Sequence, residues 1–118
     1  MEERLKLAFL VDFYGALLTD KQRQSLEMYL FEDLSFSEIG TEMGISRQAV
    51  YDMFHRSVQI LTDYETKLGL VSRYKSMSGA LNDVYKGVAR LETESNSAEV
   101  MEILKRIEPF LDNQEDRI

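Results

Sequence analysis

The stretch Leu34-Ser35-Phe36-Ser37-Glu38-Ile39-Gly40-Thr41-Glu42-Met43-Gly44-Ile45-Ser46-Arg47-Gln48-Ala49-Val50-Tyr51 holds two helix starts and one helix stop. Ser35 with Glu38 three residues on has the spacing of a capping box, in which each side chain satisfies the other residue's backbone N–H. Phe36, Ile39 and Met43 then give a short helix its apolar face. Gly44 is the residue type best able to take the left-handed turn that ends it. Ser46 can cap a second helix. Gly40 at the crossing permits close approach, and Ile39, Ile45 and Val50 are spaced to meet beneath the turn. Two capped helices joined across Gly44-Ile45-Ser46 make a helix–turn–helix. The start of the second helix is then presented outward, with Ser46, Arg47, Gln48, Tyr51, Asp52 and His55 on its exposed face and Arg56 one turn further. That is the placement of a recognition helix in a DNA major groove.

The chain on either side also reads as helix. Residues 4–18 carry Leu5, Phe9, Phe13, Ala16 and Leu17 at three- and four-residue steps, widened by Leu7, Leu10 and Tyr14, which suggests contact on more than one side. Thr19 with Gln22 repeats the capping box and opens a helix with Leu26, Tyr29 and Leu30 inward, stopping near Asp33. The helix from Ser46 buries Val50, Phe54, Ser57, Val58 and Leu61 and runs to about Leu68, where Gly69 breaks it. Beyond it, Tyr74, Met77, Leu81, Val84, Val88 and Leu91 step by three and four, a heptad seam, although Gly79 and Gly87 each cost the helix up to about 1 kcal/mol relative to Ala. Asn96 or Ser97 can cap a last helix carrying Val100, Ile103, Leu104 and Ile107, which Pro109 closes. The tail from Asp112 to Ile118 is polar and is expected to fray. Met28, Met43 and Met77 fall on apolar faces and read as core filler.

The whole is 118 residues, the length of one domain, with 44% hydrophobic and 30% charged residues. The absence of cysteine excludes disulfides, zinc–thiolate sites and thiol nucleophiles. With His55 the only histidine, a transition-metal site is not expected. Neither converging carboxylates nor a phosphate-cradling glycine loop announces itself, so no cofactor, no small-molecule substrate and no enzymatic activity are expected. No apolar run is long enough to span a membrane, and Lys6 and Asp12 interrupt the greasy start, so the expectation is a cytoplasmic protein. The net charge of −7 opposes long-range attraction to nucleic acid or anionic lipid.

The helix–turn–helix resembles region 4 of bacterial sigma factors, which share its Leu-Ser-x-x-Glu-Ile, Gly-Ile-Ser and Val pattern. The chain is more specifically similar to the small bacterial YlxM-like (UPF0122-type) family. The resemblance rests on Phe13-Tyr14-Gly15-Ala16-Leu17-Leu18-Thr19-Asp20-Lys21-Gln22, Asp33-Leu34-Ser35, Ile45-Ser46-Arg47-Gln48-Ala49-Val50-Tyr51-Asp52 and Asp63-Tyr64-Glu65-x-Lys67-Leu68. It implies an all-α, sigma region 4-like helix–turn–helix bundle with an added N-terminal helix and C-terminal helices. It also implies a non-enzymatic role as an accessory or regulatory factor of the signal recognition particle pathway, since the family's genes sit beside those of its GTPases. Components of that particle, protein or RNA, are the partners it implies.

The alternative is a dimeric transcription regulator that reads DNA with the helix starting at Ser46. Arg47 suits a phosphate or a guanine edge and Gln48 an adenine. Charge weighs against it: from Ser35 to Lys67 three basic residues (Arg47, Arg56, Lys67) face five acidic ones (Glu38, Glu42, Asp52, Asp63, Glu65). Where sigma-like domains carry Lys or Arg after the buried Val, this chain has Tyr51, Asp52 and Met53. Two arginines per protomer would neutralise four phosphates in a dimer, a salt slope of only about −3.6. A plainer alternative makes the turn a packing device with no ligand. The heptad seam from Tyr74 to Leu91 spans under three heptads, short for a self-sufficient coiled coil. The alternatives are packing on the chain's own helices and, as the expectation here, bringing two copies together, which suits a helix–turn–helix presented in pairs.

Overall fold

A computed structural model describes residues 2–111, which form six α-helices and no strand. They are α1 Glu2–Tyr14, α2 Asp20–Phe31, α3 Phe36–Met43, α4 Arg47–Leu68, α5 Leu70–Arg90 and α6 Ser97–Ile107. The fold is an all-α helix–turn–helix bundle. Its residues group into two compact units, one up to Val71 and one from Ser72 on. The expected frayed tail, 112–118, lies outside the described residues.

In the first unit α4 is the central element, packed against α1, α2 and α3. Phe9, Leu26, Ile39, Val50 and Leu61, from four helices, are all fully enclosed. Helix α1 buries Leu7, Ala8, Phe9, Leu10, Val11 and Tyr14, most of its circumference, as its broad apolar stripe requires. It ends earlier than the spacing predicts. A 3-10 turn over Gly15–Leu17 replaces its last turn, so the i+3/i+4 register from Phe13 is lost. Ala16 and Leu17 therefore lie outside the core, Leu17 being 56% exposed.

Two polar clamps hold the ends of these helices. The Arg4 guanidinium donates to the Tyr29 carbonyl at 2.8 Å and the Leu30 carbonyl at 3.2 Å, and lies 4.6 Å from the Tyr29 ring centroid. It thereby satisfies carbonyls that α2 cannot pair internally and places a cation at the negative end of that helix. Asp33, with a left-handed φ of 55°, stands 3.5 Å from the same guanidinium. The buried Tyr14 hydroxyl donates to Glu65 Oε1 at 2.6 Å and accepts from the Leu70 N–H at 3.1 Å. Glu65 Oε1 also accepts from the Val71 N–H at 3.0 Å, so a carboxylate caps the start of α5. The chain turns from α4 into α5 on Gly69 alone, left-handed at φ 62°.

In the second unit α6 buries Val100 and Leu104. Asn96 precedes α6 but makes no side-chain cap. Its amide instead donates to the Leu91 carbonyl and accepts from the Thr93 N–H, so it folds the 91–96 turn rather than starting the helix. Pro109 sits in a closing 3-10 turn, Glu108–Phe110. Along α5 and into the turn just beyond it the heptad splits: Tyr74, Leu81 and Val88 are half-buried, whereas Met77 and Val84, and Leu91 past the helix end, are exposed. Met77, at 65% exposure, is not core filler, while Met28 and Met43 are half-buried.

Candidate partner-binding ridge

Each local contact that builds the helix–turn–helix satisfies a backbone group. Ser35 Oγ accepts from the Glu38 N–H at 3.1 Å and Glu38 Oε1 accepts from the Ser35 N–H at 3.0 Å. The Ser35 backbone donor, then its side chain, holds the Glu38 carboxyl below the usual carboxylate range. Gly44 takes φ 71°, and the N–H groups of Gly44 and Ile45 both return to the Gly40 carbonyl. Ser46 Oγ accepts from the Ala49 N–H at 3.0 Å, so α4 begins capped.

The floor of the turn differs from the expectation in one residue. Ile39 and Val50 are fully enclosed, but Ile45 is 38% exposed. Backbone fills the crossing instead: a Cβ placed on Gly40 would stand 2.7 Å from the Ile45 carbonyl oxygen. Gly40 is thus required by contact with the turn itself, and the Ile45 side chain is left at the rim.

Above that floor Ser46, Arg47, Gln48, Tyr51, Asp52, His55 and Arg56 are all exposed. Gln48, Tyr51, Asp52 and His55 make the outward ridge of α4, with Arg47 and Arg56, nine residues apart, on its two opposite flanks. The Gln48 amide donates to Asp52 Oδ1 at 3.1 Å, one turn on, which sets a carboxylate in the middle of the ridge. The Tyr51 ring meets Phe36 edge-on at 6.0 Å and the His55 imidazole at 4.2 Å between centroids. Phe36 in turn packs on Phe54 at 5.0 Å and Phe54 on Tyr29 at 4.8 Å. The exposed pair therefore stands on the core through a continuous run of aromatic rings. Arg47 and Arg56 have no ion-pair or hydrogen-bond partner among the described residues. The i,i+4 spacing of Tyr51 and His55 is the signal in the sequence for their pairing.

Elsewhere in this unit a cavity of about 280 Å³ opens between α1, α2 and α4, lined by Arg4, Lys6, Leu7, Leu10, Tyr29 and Phe54 among others. No group of three or more acidic or histidine side chains among the described residues is placed to hold a metal ion.

The model of the UPF0122 family, described as "Putative helix-turn-helix protein, YlxM / p13 like", matches residues 1–103. The chain belongs to the UPF0122 family. A UPF0122 protein of Thermoanaerobacter sp. (strain X514) is 41% identical over 106 residues, 90% of this chain and 91% of the relative. One from Clostridium kluyveri is 38% identical over 113 residues, 96% and 98% of the two chains. One from Desulforamulus reducens is 46% identical over 84 residues, 71% and 72%. The family match thus takes in α1 and most of α6 as well as the helix–turn–helix.

Proposed function

We propose that this UPF0122 protein is a non-enzymatic, cytoplasmic accessory or regulatory factor of the signal recognition particle pathway, and that it meets its partner through the α4 ridge. The observation that carries this reading is the make-up of the ridge: an exposed, core-supported Tyr51–His55 pair and a central Asp52, with Arg47 and Arg56 on its opposite flanks and without an ion-pair partner among the described residues. Phosphate neutralisation supplies most non-specific affinity for duplex DNA, and two cations on opposite flanks of one helix supply little of it. A mixed aromatic and polar surface on a chain of net charge −7 suits a basic protein, or the unpaired bases of an RNA, better. The pathway itself rests on the family resemblance.

The experiment is affinity capture from the source cell with nuclease-treated and untreated halves. Targeting-particle components are expected on the native chain, to survive Arg47→Ala and to be lost with Tyr51→Ala/His55→Ala. Capture that ignores the double variant would remove the ridge from the account. The second reading, a dimeric regulator reading duplex DNA in the major groove, is favoured by the unpaired Arg47 at a capped helix start. It requires sequence-preferring binding in fluorescence anisotropy that collapses with Arg47→Ala.

A further inference from the structure

Charge is spread unevenly over the helices. Helix α5 carries four of the chain's 14 basic residues, Arg73, Lys75, Lys86 and Arg90, and one of its 21 acidic ones, Asp83. Among the described helices it alone has more cations than acids. Three of the four cations fall on one line. Lys75, Gly79, Asn82 and Lys86 step by four, three and four, and Arg90 follows one turn on. At 3.6 residues per turn such positions share one side of a helix, and all five are exposed. Lys75 and Lys86 each stand two residues from Met77 and Val84, so this line runs on the opposite side of α5 from those exposed apolar side chains.

The cations of the line are not spent within the second unit. Lys86 and Arg90 make no side-chain hydrogen bond or ion pair among the described residues, and Asp83 pairs with neither. Glu92, in the turn past the helix, is already engaged, its Oε1 accepting from Ser97 Oγ at 2.7 Å. Gly79 lies in the middle of the line, where a Cβ would meet nothing within 4 Å. No contact within the chain requires glycine there, and the bare backbone admits close approach from outside. At 0.1 M salt, acids farther off than about 10 Å are largely screened, so the net charge of −7 does not cancel a face this local.

The spacing chooses the kind of anion. Lys75 and Lys86 are about 16 Å apart along the axis and Arg90 is about 6 Å further on. These cations do not converge on one small ion; they suit a row of phosphates. An anionic membrane is a poor fit, because a helix lying in that interface buries its apolar side. Burying Met77 and Val84 would turn Lys75 and Lys86 away from the headgroups. Among nucleic acids, the major groove of B-DNA is about 12 Å wide, so one line of cations reaches one phosphate row. The major groove of A-form RNA is deep and narrow, which brings two rows within reach of the same line.

We infer that the face of α5 bearing Lys75, Gly79, Lys86 and Arg90 is a seat for double-stranded RNA, held by the phosphates that border its narrow major groove. Contacts of this kind position a partner and carry no sequence information. The inference is independent of what the α4 ridge binds.

The test is fluorescence anisotropy with a labelled RNA stem of about 16 base pairs, beside the DNA duplex of the same sequence. The native chain is expected to bind the RNA whatever its sequence, and several-fold more tightly than the DNA. Three neutralised phosphates give a log–log salt slope of about −2.7. Lys86→Gln/Arg90→Gln should weaken binding about tenfold or more, since two of those three contacts go. Asp83→Asn should tighten it, and Arg73→Gln, off the line, should leave it unchanged. Circular dichroism on each variant checks that the helices persist. No binding of RNA at low salt would overturn the inference, as would equal losses from Arg73→Gln and the double variant, which would make net charge rather than the line responsible. DNA bound as tightly as RNA would overturn the choice of RNA. Cosedimentation with phosphatidylserine vesicles in place of RNA binding would make the face a membrane contact and overturn it too.

Discussion

Gly40 has no room for a methyl group, because the Ile45 carbonyl oxygen would lie 2.7 Å from it and backbone cannot swing aside. Gly40→Ala should therefore lower stability in urea titration by about 1–3 kcal/mol, the usual cost of overpacking, despite the roughly 1 kcal/mol that alanine ordinarily adds to a helix. An unchanged or raised midpoint would mean the turn can open at no cost. Tyr14→Phe keeps the stacking on Tyr64, at 5.9 Å between centroids, but removes the donor to Glu65 and the acceptor of the Leu70 N–H. Leaving such groups unmet costs about 1–3 kcal/mol. Amide exchange at Leu70 should quicken with that loss, and protection equal to the native chain's would refute the clamp. Caps were legible from the chain because their partners stand three residues apart, as Ser35 and Glu38 do. The clamps were not, because Arg4 reaches Tyr29 across 25 residues and Tyr14 reaches Glu65 across 51.

At the scale of the element, α3 draws its start from a reciprocal pair whose carboxyl is held below the usual range. A carboxyl depressed in the folded chain contributes stability that is fully present above its ordinary unfolded value, near 4.5. That contribution is lost as pH falls through the lowered folded value. Gln at position 38 can still cap but cannot titrate. The stability difference between the native chain and Glu38→Gln, followed by urea titration from neutral to strongly acid pH, should shrink below the ordinary carboxylate range. A difference flat across that range would show that the pair does not act on α3 through charge. Helices α2, α3 and α4 follow their sequence signals closely because each has a strong local start. The end of α1 and the start of α6 do not: Gly15–Leu17 tightens into a 3-10 turn, and Asn96 spends its amide on the preceding turn. In both places the rival hydrogen bonds are local, but periodicity does not register them.

At the scale of the whole molecule, a net charge of −7 and a ridge flanked by two unpaired arginines set the terms of binding. Any binding to duplex DNA should therefore lose affinity with salt no more steeply than a log–log slope of about −3.6, even for a pair of chains. A markedly steeper slope would place further cations in contact with phosphate. Charge balance and the exposed start of α4 could both be read from the sequence. The support of Tyr51 and His55 by Phe36 and Phe54 could not, since it depends on how α3 and α4 cross. The most direct test of the ridge as the working surface is a titration of the ¹⁵N-labelled chain with the RNA and, separately, with the GTPase of the signal recognition particle. The account predicts that one of the two shifts amide resonances centred on residues 46–56. Shifts confined to other parts of the chain, or none with either component, would contradict it.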